Sequence, residues 1–324
     1  MKISTLNLKV LAALALVGSI SQLALAQDYD DGCKKPKTSY KNVNCTGKAR
    51  LFVAYKGDMD YAPIALLDAQ GKKVADLKGF ENIDTWNVNH DLIAVQKNGK
   101  VGYINTQGKL VIPAIYDDLQ DPDDKYDETW ANAASKEGTI VVAKNGKYGV
   151  IDTKGKTVVP LKYEELNDFS EGMASFRKGE KWGFIDKTGK EVIPAQYDLN
   201  GNFGGYYGFS EGVANVGKNN KWGAIDKTGK VVVPIVYDNI QPMSQGLMGV
   251  QKGEYWGFVD RNNKTVIPFK YPESKVNRFS VNYNGASYFI FEDDGHALVT
   301  TDAKGESVCI NKSQQVVTCR DGLN

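Results

Sequence analysis

The strongest constraint in this chain is internal repetition. A motif recurs five times in the middle of the sequence: KVGYINTQGKLVIPAIYDDL from Lys100, KYGVIDTKGKTVVPLKYEEL from Lys147, KWGFIDKTGKEVIPAQYDLN from Lys181, KWGAIDKTGKVVVPIVYDNI from Lys221 and YWGFVDRNNKTVIPFKYPES from Tyr255. With the glycine after the aromatic position as origin (Gly102, Gly149, Gly183, Gly223, Gly257), proline follows eleven residues later in every copy, as Pro113, Pro160, Pro194, Pro234 and Pro268. Tyrosine follows at fourteen, as Tyr116, Tyr163, Tyr197, Tyr237 and Tyr271. A chain with such a register folds as one array of similar units, whatever its length suggests about domain count. Two weaker units flank the five. One starts at Ala62 and keeps Asp68 and Gly71, and the other starts at His296 and keeps Asp302 and Gly305. Atypical outer copies are expected where terminal repeats expose a face that inner ones bury.

Each unit reads as a meander of three short strands. In the copy around Gly183 these are Ala174 to Arg177, Trp182 to Ile185, and Val192 with Ile193. The pairs Asn98-Gly99, Asn145-Gly146, Gly179-Glu180, Asn219-Asn220 and Gly253-Glu254 suit two-residue hairpins, whose turns need the positive φ that glycine and asparagine tolerate. The segments Asp186 to Lys190 and Asp226 to Lys230 suit a longer turn with glycine in the left-handed region, and Asn263 replaces that glycine in one copy. Trp182 and Phe184 alternate with Gly183 and Ile185, so both faces of the strand are apolar and both must be covered. Proline is expected where the third strand ends. The recurring Asp152, Asp186, Asp226 and Asp260 precede turns, which makes them turn-capping acceptors and not a row of catalytic carboxylates.

The residues Lys-Trp-Gly-Phe-Ile-Asp-Lys-Thr-Gly-Lys-Glu-Val-Ile-Pro (181 to 194), with Phe169-Ser170-Glu171-Gly172 upstream, resemble the bacterial WG repeat, also called the KWG repeat. Trp182, Trp222 and Trp256 hold the signature tryptophan; Val101 and Tyr148 depart from it, and Tyr255 replaces the lysine. The resemblance spans roughly residues 60 to 310. It implies an all-β repeat domain of secreted and cell-surface bacterial proteins, with no shared catalytic residues and a binding or scaffolding role. About seven three-stranded antiparallel meanders of blade-like length predict a propeller-like arrangement, with an open β-solenoid as the alternative.

Residues 1–26 carry Lys2 and Lys9, an apolar stretch from Val10 to Ile20 and a small-residue end at Ala24-Leu25-Ala26, the order of a secretory signal cleaved after Ala26. The expectation is an exported chain, periplasmic or extracellular, with no transmembrane segment once matured. It divides into a cysteine-containing flank at 27–50, the repeat domain at 51–310 and a tail at 311–324. An even count of four cysteines in an exported chain predicts disulfides. Short-loop closure favours Cys33 with Cys45 and Cys309 with Cys319, while pairing between the two ends would instead close a ring. Neither pair has metal-ligand spacing, and His90 and His296 lie far away in sequence, so no metal or other cofactor is expected.

The intervals between origins are 47, 34, 40 and 34 residues, and both excesses fall between the tyrosine of one unit and the first strand of the next. The longer insertion is acidic, with Asp123, Asp124, Asp127 and Trp130; the shorter is rich in glycine and rings, with Phe203, Tyr206 and Tyr207. Insertions at one repeat position project from one face, which is often the binding face, and these seven residues are the candidate ligand contacts. Asp198, Asn200 and Asn202 start like an EF-hand loop, but Phe203 and Phe209 stand where glycine and glutamate are required. A weak cation in the acidic insertion is the remaining metal expectation.

The net charge of +1, becoming −1 once Lys2 and Lys9 are removed, argues against nucleic acid as a partner. Two histidines and no G-x-S-x-G motif argue against a hydrolase. The function expected is an exported binding module or scaffold that holds a protein, peptide or cell-wall glycan through loops on one face. The alternatives are an envelope-associated hydrolase using carboxylates such as Asp124 and Glu128, and a purely structural envelope component.

Overall fold

Turn chemistry delimits the strands. The computed structural model describes residues 33–57, 62–120, 130–198, 208–273, 288–302, 304 and 306–319. Every hairpin pair named above closes a two-residue loop: Lys178 pairs with Lys181 across Gly179-Glu180, and Lys218 with Lys221 across Asn219-Asn220. Asn219 and Asn220 both have positive φ, 52° and 59°, the pattern of a type I′ turn. In the longer turn, the Gly189 N–H donates to Asp186 O at 2.9 Å and the Asp186 N–H to Lys190 O at 3.0 Å.

The result is seven antiparallel sheets in chain order, spanning 42–76, 82–116, 139–163, 165–197, 213–237, 239–272 and 296–317. The first sheet thus begins inside the N-terminal flank, and the last runs on into the C-terminal tail. In sheet 4 the strands are Glu165–Leu166, Met173–Lys178, Lys181–Asp186 and Glu191–Tyr197, hydrogen-bonded in that order. The two-residue edge strand is an addition to the expected three, and it has counterparts at Asn82–Ile83 and Asn239–Ile240. Sheets 3 and 5, which follow the two long insertions, lack it. There the pairing shrinks to Asp117 N–H on Ala143 O (2.8 Å) and Asp198 N–H on Gly217 O (2.9 Å). Sheet 7 corrects the register read from Asp302: the Asp302 turn lies between its first two strands. The residue equivalent to Asp186 is Asn311, whose N–H donates to Gln315 O and which is followed by Gln314 at φ 63°.

The third strand also differs from expectation. It does not end at the proline but runs through it, from Glu191 to Tyr197, along the sheet edge. Trp182 pairs with Tyr197 and Phe184 with Ile193, so Pro194, Ala195 and Gln196 bulge out opposite Gly183. A Cβ on Gly183 would lie 2.4 Å from Ile193 O and 2.7 Å from Ala195 N. The glycine of the motif therefore makes room for the bulge of its own unit, and proline, lacking an N–H, is tolerated where the ladder is already interrupted at an edge.

Both faces of each inner sheet are buried. Ile185, Ala174 and Phe176 pack back against Val141, Val150, Val159 and Tyr163 of sheet 3. Met173, Phe184, Ile193 and Tyr197 pack forward against Phe209 and against Ala214, Val216 and Ile225 of sheet 5. Phe209, at the end of the ring-rich insertion, is fully buried with its ring centroid 5.1 Å from that of Phe184. The succession of blade-like sheets is propeller-like. Among the described residues no strand pairing and no apolar cluster joins sheet 1 to sheet 7. The outer face of sheet 1 instead carries Cys33, Tyr40 and the Cys33–Cys45 bridge, and Cys309–Cys319 staples sheet 7.

Two stability predictions follow from these contacts. Gly183→Ala forces backbone against backbone and should lower the unfolding free energy by ~1–3 kcal/mol; a urea midpoint equal to that of the unchanged chain would contradict the bulge. Each disulfide closes a loop of 12 or 10 residues. Loops of that length stabilise by roughly 2–4 kcal/mol, so reduction should lower the melting temperature, with protease cleavage appearing first at the two ends.

Candidate ligand-binding face

The recurring polar residues are engaged in joining one unit to the next. At the hairpin rim, the acid that follows the tyrosine links two units. Asp117 accepts from Lys100 Nζ (2.9 Å) and from the Gly146 N–H (2.9 Å) of the following hairpin. Asp198 does the same with Lys181 and the Asn219 N–H, and Asp238 with Lys221 and the Gly253 N–H (2.7 Å). This explains the motif lysine. In the copy where Tyr255 replaces lysine, Pro272, its partner across the ladder, stands where the carboxylate would be.

A second set of contacts runs along the opposite rim. Glu137 accepts from the Gly172 N–H and pairs with Lys187; Glu171 accepts from the Gly212 N–H and pairs with Lys227. Glu211 accepts from the Gln245 and Gly246 N–H groups, with Arg261 donating to its carbonyl. His90 occupies the equivalent place one unit earlier, its Nε2 2.9 Å from Ser135 O. Serines add a parallel row, from Ser170 to Phe209 O (2.7 Å) and from Ser210 to Met243 O (2.8 Å).

The connection between units starts at the hairpin rim and ends at the opposite one, along the outer edge of the first strand. Both long insertions belong to it. Trp130 stands at the neck of the acidic insertion: its carbonyl accepts the Leu119 N–H at 3.0 Å, and its half-buried side chain packs on the core between sheets 2 and 3. Asp123, Asp124, Asp127, Glu128, Phe203, Tyr206 and Tyr207 lie outside the described residues. Trp86, which the repeat pattern does not single out, sits in the corresponding connection of sheet 2, between the edge strand Asn82–Ile83 and Leu92–Lys97, and is 63% exposed. Its backbone is held firmly: Asp84 accepts from the Trp86 and Asn87 N–H groups at 3.0 and 3.1 Å, and Thr85 O accepts from Gly47 at 2.7 Å. The only sequence signal was tryptophan inside a connection otherwise rich in asparagine and aspartate. Among the described residues no group of three or more His, Cys, Asp or Glu side chains is placed to hold a metal, and no helix is long and apolar enough to cross a membrane.

With this geometry in view, the family match is direct. The description "WG containing repeat" fits residues 102–126, 148–182, 182–222, 222–256 and 256–295, just over half of the chain. The chain belongs to the WG-repeat family. No curated protein matches it. Among solved structures, this WG-repeat chain is similar to a dihydro-heme d1 dehydrogenase, NirN, in complex with DHE, at 17% identity and a TM-score of 0.42 over 86% of the chain; it spans 65% of that protein. A eukaryotic initiation factor matches at 11% identity and a TM-score of 0.44, over 85% of this chain and 76% of that one. Virginiamycin B lyase from Staphylococcus aureus matches at 16% and 0.35, over 76% and 85%.

The turn carboxylates lead to a pH prediction. Asp186 and Asp226 are held below the usual carboxylate range, first by the Thr188 and Thr228 hydroxyls and then by backbone N–H groups; Asp198 and Asp238 are held low by Lys181 and Lys221. Their folded values lie below the unfolded one, so the stability they add is complete above pH ~4 and is lost as pH falls through the folded values. Asparagine already fills this turn position in sheet 2, where Asn105 Oδ1 accepts from Gln107 and Lys109. The double variant Asp186→Asn, Asp226→Asn should keep the neutral-pH urea midpoint and show a shallower loss between pH 4 and 2. An identical acid slope would show that these aspartates are not the source.

Proposed function

We propose that this WG-repeat protein is an exported binding module that holds a protein, peptide or cell-wall glycan through its inter-unit connections, and that it binds without turnover. The observation that carries the reading is the placement of variability. Residues that recur are committed to turns, bulges and contacts between units, whereas length and ring content vary at one position of the repeat, the connection along the first-strand edge. An exposed aromatic side chain on a pinned backbone loses little conformational freedom on binding, which favours Trp86 as an anchor. Two disulfides in the described chain are compatible with export.

The test is capture from envelope extract by the immobilised chain. Alanine at Tyr206 and Tyr207 together, and separately at Trp86, should abolish capture without lowering the melting temperature; Trp130→Ala, which also removes packing on the core, should lower both. Undiminished capture would remove the connections as the binding face. Turnover of cell-wall or peptide substrates that disappears with Asp124→Ala would replace binding with hydrolysis.

A further inference from the structure

Each cleft between successive sheets takes at least two side chains from the segment that leads into the following sheet, with one exception among the described residues. Ile83 and Val88 enter between sheets 1 and 2, Trp130 and Ala134 between sheets 2 and 3, and Leu166 and Phe169 between sheets 3 and 4. Ile240 and Met243 do so between sheets 5 and 6, and Phe289 and Phe291 between sheets 6 and 7. Between sheets 4 and 5, Phe209 is the one such side chain among the described residues. A cavity lies in that cleft, lined by Trp182, Phe184 and Tyr197 of sheet 4, Val216 of sheet 5, and the polar Ser175 and Asn215. Its space is about 250 Å³ with the open mouth included, below the ~300–1,000 Å³ of sites for drug-sized ligands, so it suits a single side chain.

A backbone acceptor stands open beside it. On each first strand, the residue that pairs with the neighbour of the motif glycine turns its carbonyl toward the incoming segment. Ala94 O accepts from the Asp84 N–H (3.0 Å), Val141 O from Asn132 Nδ2 (3.0 Å) and Ser175 O from the Asn167 N–H (3.0 Å). Gly249 O accepts from the Gln241 N–H (2.8 Å) and Leu298 O, in sheet 7, from the Phe289 N–H (2.9 Å). Asn215 holds this position in sheet 5, and among the described residues no donor reaches its carbonyl. It is half-buried, whereas its five equivalents are buried. The bonds on either side are made, from the Asp198 N–H to Gly217 O at 2.9 Å and from the Ser210 N–H to Val213 O at 2.8 Å. The gap is therefore local, and it adjoins the cavity. Peptide groups at such a place call for a partner.

The cleft between sheets 6 and 7 shows what fits there. Phe289 stacks its ring on Trp256, with centroids 4.5 Å apart and planes at 2°, while its N–H serves Leu298 O. Trp182, Phe184 and Tyr197 hold the places of Trp256, Phe258 and Tyr271, and Asn215 and Val216 those of Leu298 and Val299. Ser175 stands for Gly249, where a Cβ would lie 2.2 Å from Phe289 O, so the backbone of an occupant must lie farther from sheet 4 than that of Phe289 does from sheet 6. Tyr207 precedes Phe209 as Phe289 precedes Phe291, and it lies outside the described residues. We propose that the cleft between sheets 4 and 5 receives an aromatic side chain of a partner polypeptide in extended conformation, whose N–H at that residue donates to Asn215 O. Backbone pairing supplies the hold and the cavity the preference for a ring, as in recognition by strand addition. The assignment rests on the reading of the connections as binding positions, and narrows it to one cleft and one class of partner.

The test is calorimetric titration of the full disulfide-bonded chain with the capped peptide Thr-Val-Phe-Val-Thr. The peptide should bind, and alanine in place of its phenylalanine should weaken binding at least about tenfold. A methyl group on the phenylalanine nitrogen, which keeps the ring and removes the donor, should weaken it by up to about tenfold. The same methyl on the following valine, whose N–H points the other way in an extended segment, should leave binding unchanged. Benzoylphenylalanine at the central position should crosslink on irradiation to the segments containing Trp182 or Asn215. No binding, binding indifferent to loss of the ring or of the donor, or crosslinks confined to other segments overturns the proposal. So does binding that appears only in Tyr207→Ala, which would show that the chain fills the cleft itself. Capture from envelope extract is scored with Trp86 and the insertion rings and needs no probe peptide, so the two readings fail separately.

Discussion

Each sheet in this protein is apolar on both faces, and everything else is arranged around that requirement. A three-stranded meander with Phe184 on one side and Ile185 on the other cannot be covered by water, and neither can its neighbours. Stacking solves the problem for the inner sheets, and each end is finished with a short flank stapled by a disulfide. Burial supplies most of the stabilisation in such an array, with aromatic pairs such as Phe184 and Phe209 adding about 0.5–1.5 kcal/mol beyond their area. The polar contacts along the two rims are mostly exposed, and exposed ion pairs contribute at most about 1 kcal/mol each. Their physical role is alignment: they fix how far one sheet is rotated and shifted against the next.

Much of this was legible in the sequence because the repeat reports each feature several times. Asn-Gly and Asn-Asn pairs identified the hairpins, the Asp-Lys-Thr-Gly-Lys segments identified the longer turns, and alternation identified two buried faces. Reading failed where a feature has no side-chain signal. A two-residue edge strand such as Glu165–Leu166 is defined by its backbone partners, and the bulge at Pro194 by a register shift, so neither could be read from residue types. Sheet 7 misled for a different reason. Its hairpin turn at Asp302 uses the same aspartate-to-backbone bonds as the longer turns elsewhere, while asparagine and glutamine fill the true equivalent at Asn311.

The candidate face was legible only as a position. Two length excesses pointed to the connection between units, and the structure shows what they replace, the edge strand that sheets 3 and 5 lack. Trp86 carried no signal of spacing or repetition.

The prolines have a wider consequence. A stack of separate sheets presents an open edge at every third strand, and side chains such as Val111, Ile115 and Val236 lie exposed along those edges. Such strands are the usual recruiting points for a second chain. In the five inner sheets a proline and a bulge stand in the middle of this strand, so none of those five edges offers the uninterrupted row of donors that a foreign strand would need. The motif that shapes the repeat thus also removes, at those five edges, the template on which a second copy could pair its strands.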